Sequence, residues 1–194
     1  KYLRLWGGAG VQVTLVEPDT VYTSSIMSNL VLNGSRTVTS LQFSRTALTT
    51  NYGVIRKAGS VTAVDPAARQ VTLSDGTVLA YDRLVLAPGV SFDDAYGLTQ
   101  ADYAQRTPHA WRAGAQTTLL RQQVAAMRDG DTFVMTIPKA PYRCPPGPYE
   151  RACVVADYLK RAKGPNCKVL VLDENLQIQA EKHTFETAFS QIHA

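Results

Sequence analysis

The chain has 194 residues, of which 45% are hydrophobic and 19% charged; this builds a globular core, not a disordered coil. Twenty Lys and Arg against sixteen Asp and Glu leave a net charge of +4, scattered with no basic block and no interleaved aromatics, which argues against a dedicated nucleic-acid binder. The mean hydropathy is −0.12, and no apolar run approaches the roughly 18 residues that a membrane span needs.

Lys1-Tyr2-Leu3-Arg4-Leu5-Trp6 reads as the end of a helix, stopped by Gly7-Gly8-Ala9-Gly10. Val11–Val16 is a β-branched run and predicts a strand, closed by Glu17-Pro18. Helix, glycine turn, strand and acid make the second half of a dinucleotide-binding βαβ unit, in which the strand-end carboxylate accepts ribose hydroxyls. A solvated strand-end glutamate is the other reading of Glu17. Gly7–Gly10 follows a helix and precedes a strand, the reverse of a phosphate-binding loop.

Residues 19 to 52 are irregular, with Ser24-Ser25 and Ser28-Asn29 in a Ser/Thr-rich loop and Leu41–Thr50 either helix or strand. Short strands are predicted at Val54–Ala58 and Gly59–Asp65. Gln70–Ser74 and Thr77–Ala80 form a hairpin around Asp75-Gly76. Arg83–Ala87 predicts a buried strand ended by Pro88-Gly89. Residues 91 to 109 are loop-rich, and Trp111–Met127 carries apolar residues at helical spacing. Thr132–Ile137, a helix from about Tyr149 to Lys163, and Lys168–Asp173 make a second βαβ unit of Rossmann type. Leu176–Ala194 is amphipathic, and the chain is expected to end inside a domain. The first residue is not Met, so this end carries no information on processing.

Three cysteines, Cys144, Cys153 and Cys167, form no metal-type cluster. Cys144 sits in Pro141-Tyr142-Arg143-Cys144-Pro145-Pro146-Gly147-Pro148-Tyr149-Glu150-Arg151, where a nucleotide-binding unit would carry its glycine loop. Prolines 145, 146 and 148 remove three N–H donors and fix φ, so the turn is not expected to cradle a pyrophosphate and nicotinamide is not the expected substrate. A rigid turn holds Cys144 in one place; the alternative for any lone cysteine is a buried inert thiol.

The Cys-Pro-Pro-Gly-Pro-Tyr-Glu string, Pro108–Gly114, Leu119-Leu120-Arg121 and Val13–Pro18 resemble the flavin subunit of flavocytochrome c sulfide dehydrogenase. That subunit is a relative of sulfide:quinone oxidoreductase within the glutathione-reductase-like flavoproteins. The resemblance covers essentially the whole chain and implies an α/β fold. A Rossmann-like FAD domain with a β-meander (residues 1–95, lacking its first strand and glycine loop) would carry a second, inserted NAD-domain-like Rossmann unit (residues 96–194). The chain would then be truncated.

By that resemblance, FAD is bound by Glu17, Pro18, Ser25, Ser28, Asn29, Val61, Ala87, Pro88 and Gly89. It also implies that Cys144 pairs with a distant cysteine beyond residue 194, and that sulfide opens this disulfide next to the flavin. Cys153 and Cys167 are not expected to be the partner. Glu150 matches a glutamate near the flavin that is a candidate acid/base; it is equally a first-turn residue favoured by the helix dipole. His109 and Trp111 match residues of the subunit and are expected to pack or anchor a loop. Where the subunit attaches FAD through a cysteine, this chain has Ser25, so FAD is expected to be non-covalent. With no Cys-x-x-Cys-His, haem c is expected only on a partner c-type cytochrome subunit, with sulfide as substrate, no nucleic acid and no membrane span. The resemblance places the protein in the periplasm. Two alternatives stand beside this reading: a sulfide:quinone oxidoreductase, and a non-catalytic flavoprotein-like fragment that serves as a structural or electron-transfer partner.

Overall fold

A glycine ends the first helix, as its position predicts. In the computed structural model, which describes all 194 residues, α1 spans Tyr2–Gly7, and Gly8 follows at φ 52°. Next come β1 (Thr14–Val16), β2 (Val21–Thr23), α2 (Asn29–Leu32), β3 (Gln42–Ser44), α3 (Thr46–Tyr52) and β4 (Ile55–Lys57). A run of strands follows: β5 (Val61–Asp65), β6 (Gln70–Leu73) and β7 (Val78–Ala80). The chain closes with α4 (Gln100–Gln105), α5 (Ala115–Ala126), β8 (Thr132–Ile137), α6 (Gly147–Ala162), β9 (Lys168–Asp173) and α7 (Lys182–Thr187). The chain divides into two compact units, Lys1–Thr23 with Gln42–Asp93, and Ser24–Leu41 with Asp94–Ala194.

In the first unit β1 and β4 pair in parallel, Thr14 opposite Ile55. Only three residues of the predicted Val11–Val16 strand are regular, because the register with β4 is three residues long. Leu41–Thr50 contains both of its predicted states, since β3 pairs antiparallel with β2 and α3 follows. The hairpin forms as expected: β5, β6 and β7 make an antiparallel meander, with Gly76 at φ 83° in its turn.

The predicted buried strand Arg83–Ala87 is not formed. The segment has no ladder, and Val85 and Leu86 are 79% and 64% exposed. Hydrophobic β-branched residues alone do not make a strand; the backbone N–H and C=O groups need a neighbour to bond, and no strand pairs with this one.

In the second unit β8 and β9 are parallel over six residues, from Thr132 opposite Lys168 to Ile137 opposite Asp173, with α6 as the crossover. This is the second Rossmann-type unit. Its inner face packs Phe133 and Val169 against a core of Leu32, Ala110, Leu120, Val124, Val155 and Leu159. The loop-rich reading of 91 to 109 misses α4. That helix is started by a capping box in which Thr99 accepts from the Asp102 N–H and the Asp102 carboxylate accepts in return.

Helix α6 carries Pro148 in its first turn, where the missing N–H costs nothing, and Lys160 and Arg161 in its last, where they complement the dipole. It stops before Gly164, which has φ 138°. A Cβ there would run into the Asp129 carboxylate, which holds the Asn166 backbone and amide N–H groups at 3.0 and 2.7 Å. Gly164→Ala is therefore expected to destabilise by about 2 kcal/mol, through strain at positive φ and displacement of Asp129. A thermal melt would show this as a fall of about 4–8 °C.

Candidate functional site

The proline segment predicted to fix Cys144 does form a tight turn. The Gly147 N–H donates to the Cys144 carbonyl at 3.0 Å, and Pro145 and Pro146 fill the two positions between. Cys144 lies at φ 60°, a left-handed conformation that a residue with a side chain enters at a cost. Its thiol is exposed and free. Gly147 forms the floor of the turn: a Cβ placed on it would lie 3.3 Å from the Cys144 sulfur and 3.4 Å from Cζ3 of Trp111. The sulfur and the indole edge thus both border the space that a side chain on Gly147 would fill.

The other two cysteines stand elsewhere. Cys153 is half-buried in α6, and burial pushes its thiol up. The Cys167 thiol donates to the Arg128 carbonyl at 3.2 Å.

Behind the turn lies a buried cation that the sequence reading passes over. Arg151 is 3% exposed. Its Nε donates to Asn29 Oδ1 at 3.0 Å, and its terminal nitrogens donate to the carbonyls of His109 and Ala110. The guanidinium carbon lies 3.4 Å from the centroid of the Trp111 ring, a stacked cation–π contact. Burial pulls its pKa down to about 9, opposed by the neighbouring Glu150 charge; it stays charged at neutral pH. The available signal was its spacing: Arg151, Val155 and Leu159 are all buried and follow one another at intervals of four along α6, so a charge sits in the apolar stripe.

Glu150 is exposed on the first turn of α6 and accepts a hydrogen bond from Asn29 Nδ2 at 2.8 Å. Asn29 is buried, with Nδ2 also 3.5 Å from the Gly147 carbonyl. Ser28 is buried beside it, and the exposed Ser25 accepts the Ala113 N–H at 3.3 Å. His109 receives the Trp111 N–H on Nδ1 at 3.1 Å and meets Tyr103 edge-on. Burial, and then the Arg151 charge, lower its pKa, so it is neutral at pH 7. His109 and Trp111 are thus a loop anchor and a stacking surface.

The end of the second Rossmann unit is also occupied from within. Beside the last residues of β9 a cavity of about 530 Å³ is lined by Tyr96, Thr136, Val171, Leu172, Asp173 and Glu174. Asp173, the strand-end acid, accepts from the Tyr149 hydroxyl at 2.7 Å and from the Asn175 backbone and amide at 2.9 and 2.7 Å. Burial pushes its carboxyl up, but these bonds outweigh it and hold the group below the ordinary range. Burial, and then Asp173, push the Tyr149 hydroxyl well up.

The remaining predicted positions lie in the first unit. Glu17 Oε2 pairs with Arg45 at 2.8 Å and Oε1 accepts the Asp19 N–H at 3.2 Å, followed by the exposed Pro18. Val61 is 39% exposed at the start of β5. Ala87, Pro88 and Gly89 are exposed, with Gly89 at φ 83°.

Comparison with known proteins gives one family match over part of the chain and several likenesses of fold. Residues 117–194 match the family described as sulfide dehydrogenase (flavocytochrome c) flavoprotein chain, central. Among solved structures, the sulfide:quinone oxidoreductase of Aquifex aeolicus superposes with a TM-score of 0.74 at 19% identity, covering 98% of this chain and 45% of that one. The putidaredoxin reductase–putidaredoxin complex gives 0.66 at 22% identity, over 95% and 42%. A ferredoxin reductase of Rhodopseudomonas palustris gives 0.64 at 15% identity, over 99% and 45%. At these identities the likeness is one of fold, and the chain spans less than half the length of each. Residues 117–194, which include Cys144, Glu150 and Arg151, thus match a sulfide dehydrogenase flavoprotein family model, and the chain has the Rossmann-like fold of these reductases.

Proposed function

We propose that this chain is the sulfide-oxidising part of a flavoprotein in which Cys144 is one half of a redox disulfide, FAD takes the electrons, and a c-type cytochrome subunit in the periplasm receives them. The observation that carries this reading is the Cys144 turn: an exposed thiol on a left-handed, proline-braced residue, inside the segment that matches a sulfide dehydrogenase flavoprotein family.

The residues present suit FAD. Each Glu17 carboxylate oxygen takes one donor and keeps a second lone pair for a ribose hydroxyl. Ser25 offers a hydroxyl where a thioether would need a thiol, so the flavin is held without a covalent bond. When bound, FAD supplies a two-electron acceptor. Hydrosulfide attacks the Cys144 sulfur, forming a new S–S bond. The bond from Cys144 to its partner cysteine breaks, and the partner leaves as a thiolate; re-forming that disulfide with release of the outer persulfide sulfur as zero-valent sulfur gives up two electrons, which a bound FAD would take. Glu150 takes the remaining hydrosulfide proton. The partner is neither Cys153 nor Cys167: one is half-buried on the next turns of α6, and the other bonds the Arg128 carbonyl. Nicotinamide has no place in the scheme, since prolines replace the phosphate-binding N–H groups and Tyr149 already holds Asp173.

The test is anaerobic addition of sulfide to the flavin-loaded protein, followed by flavin absorbance. Sulfide is expected to bleach the flavin. Cys144→Ser should slow this on the order of a hundredfold or more with the melting temperature unchanged, because the thiol is exposed. Equal bleaching in the variant would refute the assignment. Subsequent transfer to cytochrome c, and not to a quinone, identifies the acceptor.

A further inference from the structure

A proton acceptor for the Cys144 chemistry must hold one position, and Glu150 is an exposed residue of the first turn of α6. What restrains it is Asn29, 2.8 Å away. A primary amide presents an oxygen on one side and an NH₂ on the other, with nearly the same shape. Arg151 breaks this symmetry. A guanidinium only donates, and Nε lies 3.0 Å from the Asn29 side chain, so the amide oxygen must face Arg151 and the NH₂ must face Glu150. Arg151 is held in this orientation: each terminal nitrogen donates to a carbonyl, of His109 and of Ala110, and its plane rests against Trp111.

We propose that Asn29 is a positioning residue for Glu150, with its orientation set by the buried Arg151, so that a donor-only cation behind the amide fixes a donor in front of it. The proposal rests on the reading of Cys144 and Glu150 as the reactive pair, and it takes Asn29 out of the cofactor-contacting set. The charged and titratable groups around Glu150 are Arg151 and Cys153 on its own helix and, on the adjoining loop, His109, which faces Arg151.

The test is Asn29→Asp in the full chain. One carboxylate oxygen still accepts from Arg151, now as an ion pair, so the fold is kept. The other oxygen meets the Glu150 carboxylate, and two carboxylates at hydrogen-bond distance do not both ionise at their ordinary pH. The readout is the rate of Cys144 alkylation by iodoacetamide against pH, measured on the Cys144 peptide by mass spectrometry, beside a thermal melt. The variant is expected to melt no lower than the parent and to shift the alkylation midpoint by about half a pH unit or more. Adding Glu150→Gln should return the profile to that of Glu150→Gln alone. If Glu150→Gln moves the profile and Asn29→Asp does not, the positioning role is wrong and the reactive pair stands. If neither moves it, Glu150 is not coupled to Cys144, and both ideas fall.

Discussion

Arg151→Met is expected to cost about 3 kcal/mol or more, seen as a fall in melting temperature of about 6–12 °C. Methionine fills the volume and removes a charge that is expensive to bury, which works in its favour. Against this, three acceptors lose their donor at once: the buried Ala110 carbonyl and Asn29 Oδ1, and the part-buried carbonyl of His109. Each orphaned acceptor costs about 1–3 kcal/mol, and the stack on Trp111 disappears as well. Arg151→Lys separates the contributions. Lysine keeps the charge but has no planar fork to span two carbonyls and an amide. It is expected to recover only part of the loss; full recovery would show that charge alone matters.

Tyr149→Ala should be comparably damaging, at about 3–5 kcal/mol. The ring is 1% exposed and lies 5.4 Å from that of Phe185. Its hydroxyl joins Asp173 to the Gln179 backbone N–H, so the first turn of α6, the end of β9 and the following segment all depend on it. Tyr149→Phe isolates the hydroxyl, and there pH is informative. Asp173 is held below the ordinary carboxylate range, so its folded pKa lies under its unfolded one. Its contribution to stability is therefore present above the unfolded pKa, roughly 4, and is lost as the pH falls through the lower folded value. Removing the Tyr149 donor narrows that gap. Urea melts of the parent at neutral pH and at pH 3 should differ by more than those of Tyr149→Phe; an equal difference would mean that the Asn175 donors alone hold the carboxylate.

The elements that local pattern controls were legible. The Asp75-Gly76 hairpin, the crossover from β8 through α6 to β9, and the glycine stop after α1 each follow from turn chemistry or periodicity within a dozen residues or so. Arg83–Ala87 shows the limit. Its composition is that of a strand, but pairing depends on a neighbour that local sequence does not name. The site divides in the same way. The proline-braced Cys144 could be singled out because its oddity is local. Asn29 and Ser28 were picked out, but not what they touch, because Asn29 meets Glu150 and Arg151 from more than a hundred positions away. Arg151 lies in the same local motif, and only its spacing with buried apolar neighbours marks it as a residue whose charge has to be answered elsewhere.

Gly147 carries a consequence for how the thiol can be tuned. The sulfur and the rim of an indole stacked on a buried guanidinium both lie over the same glycine, each within contact of the methyl group that this glycine lacks. A methyl group at that point would press on both, and one of them would have to give by a few tenths of an ångström. The reach and angle of the nucleophile are thus sensitive to an atom the chain leaves out, two layers away from the buried charge.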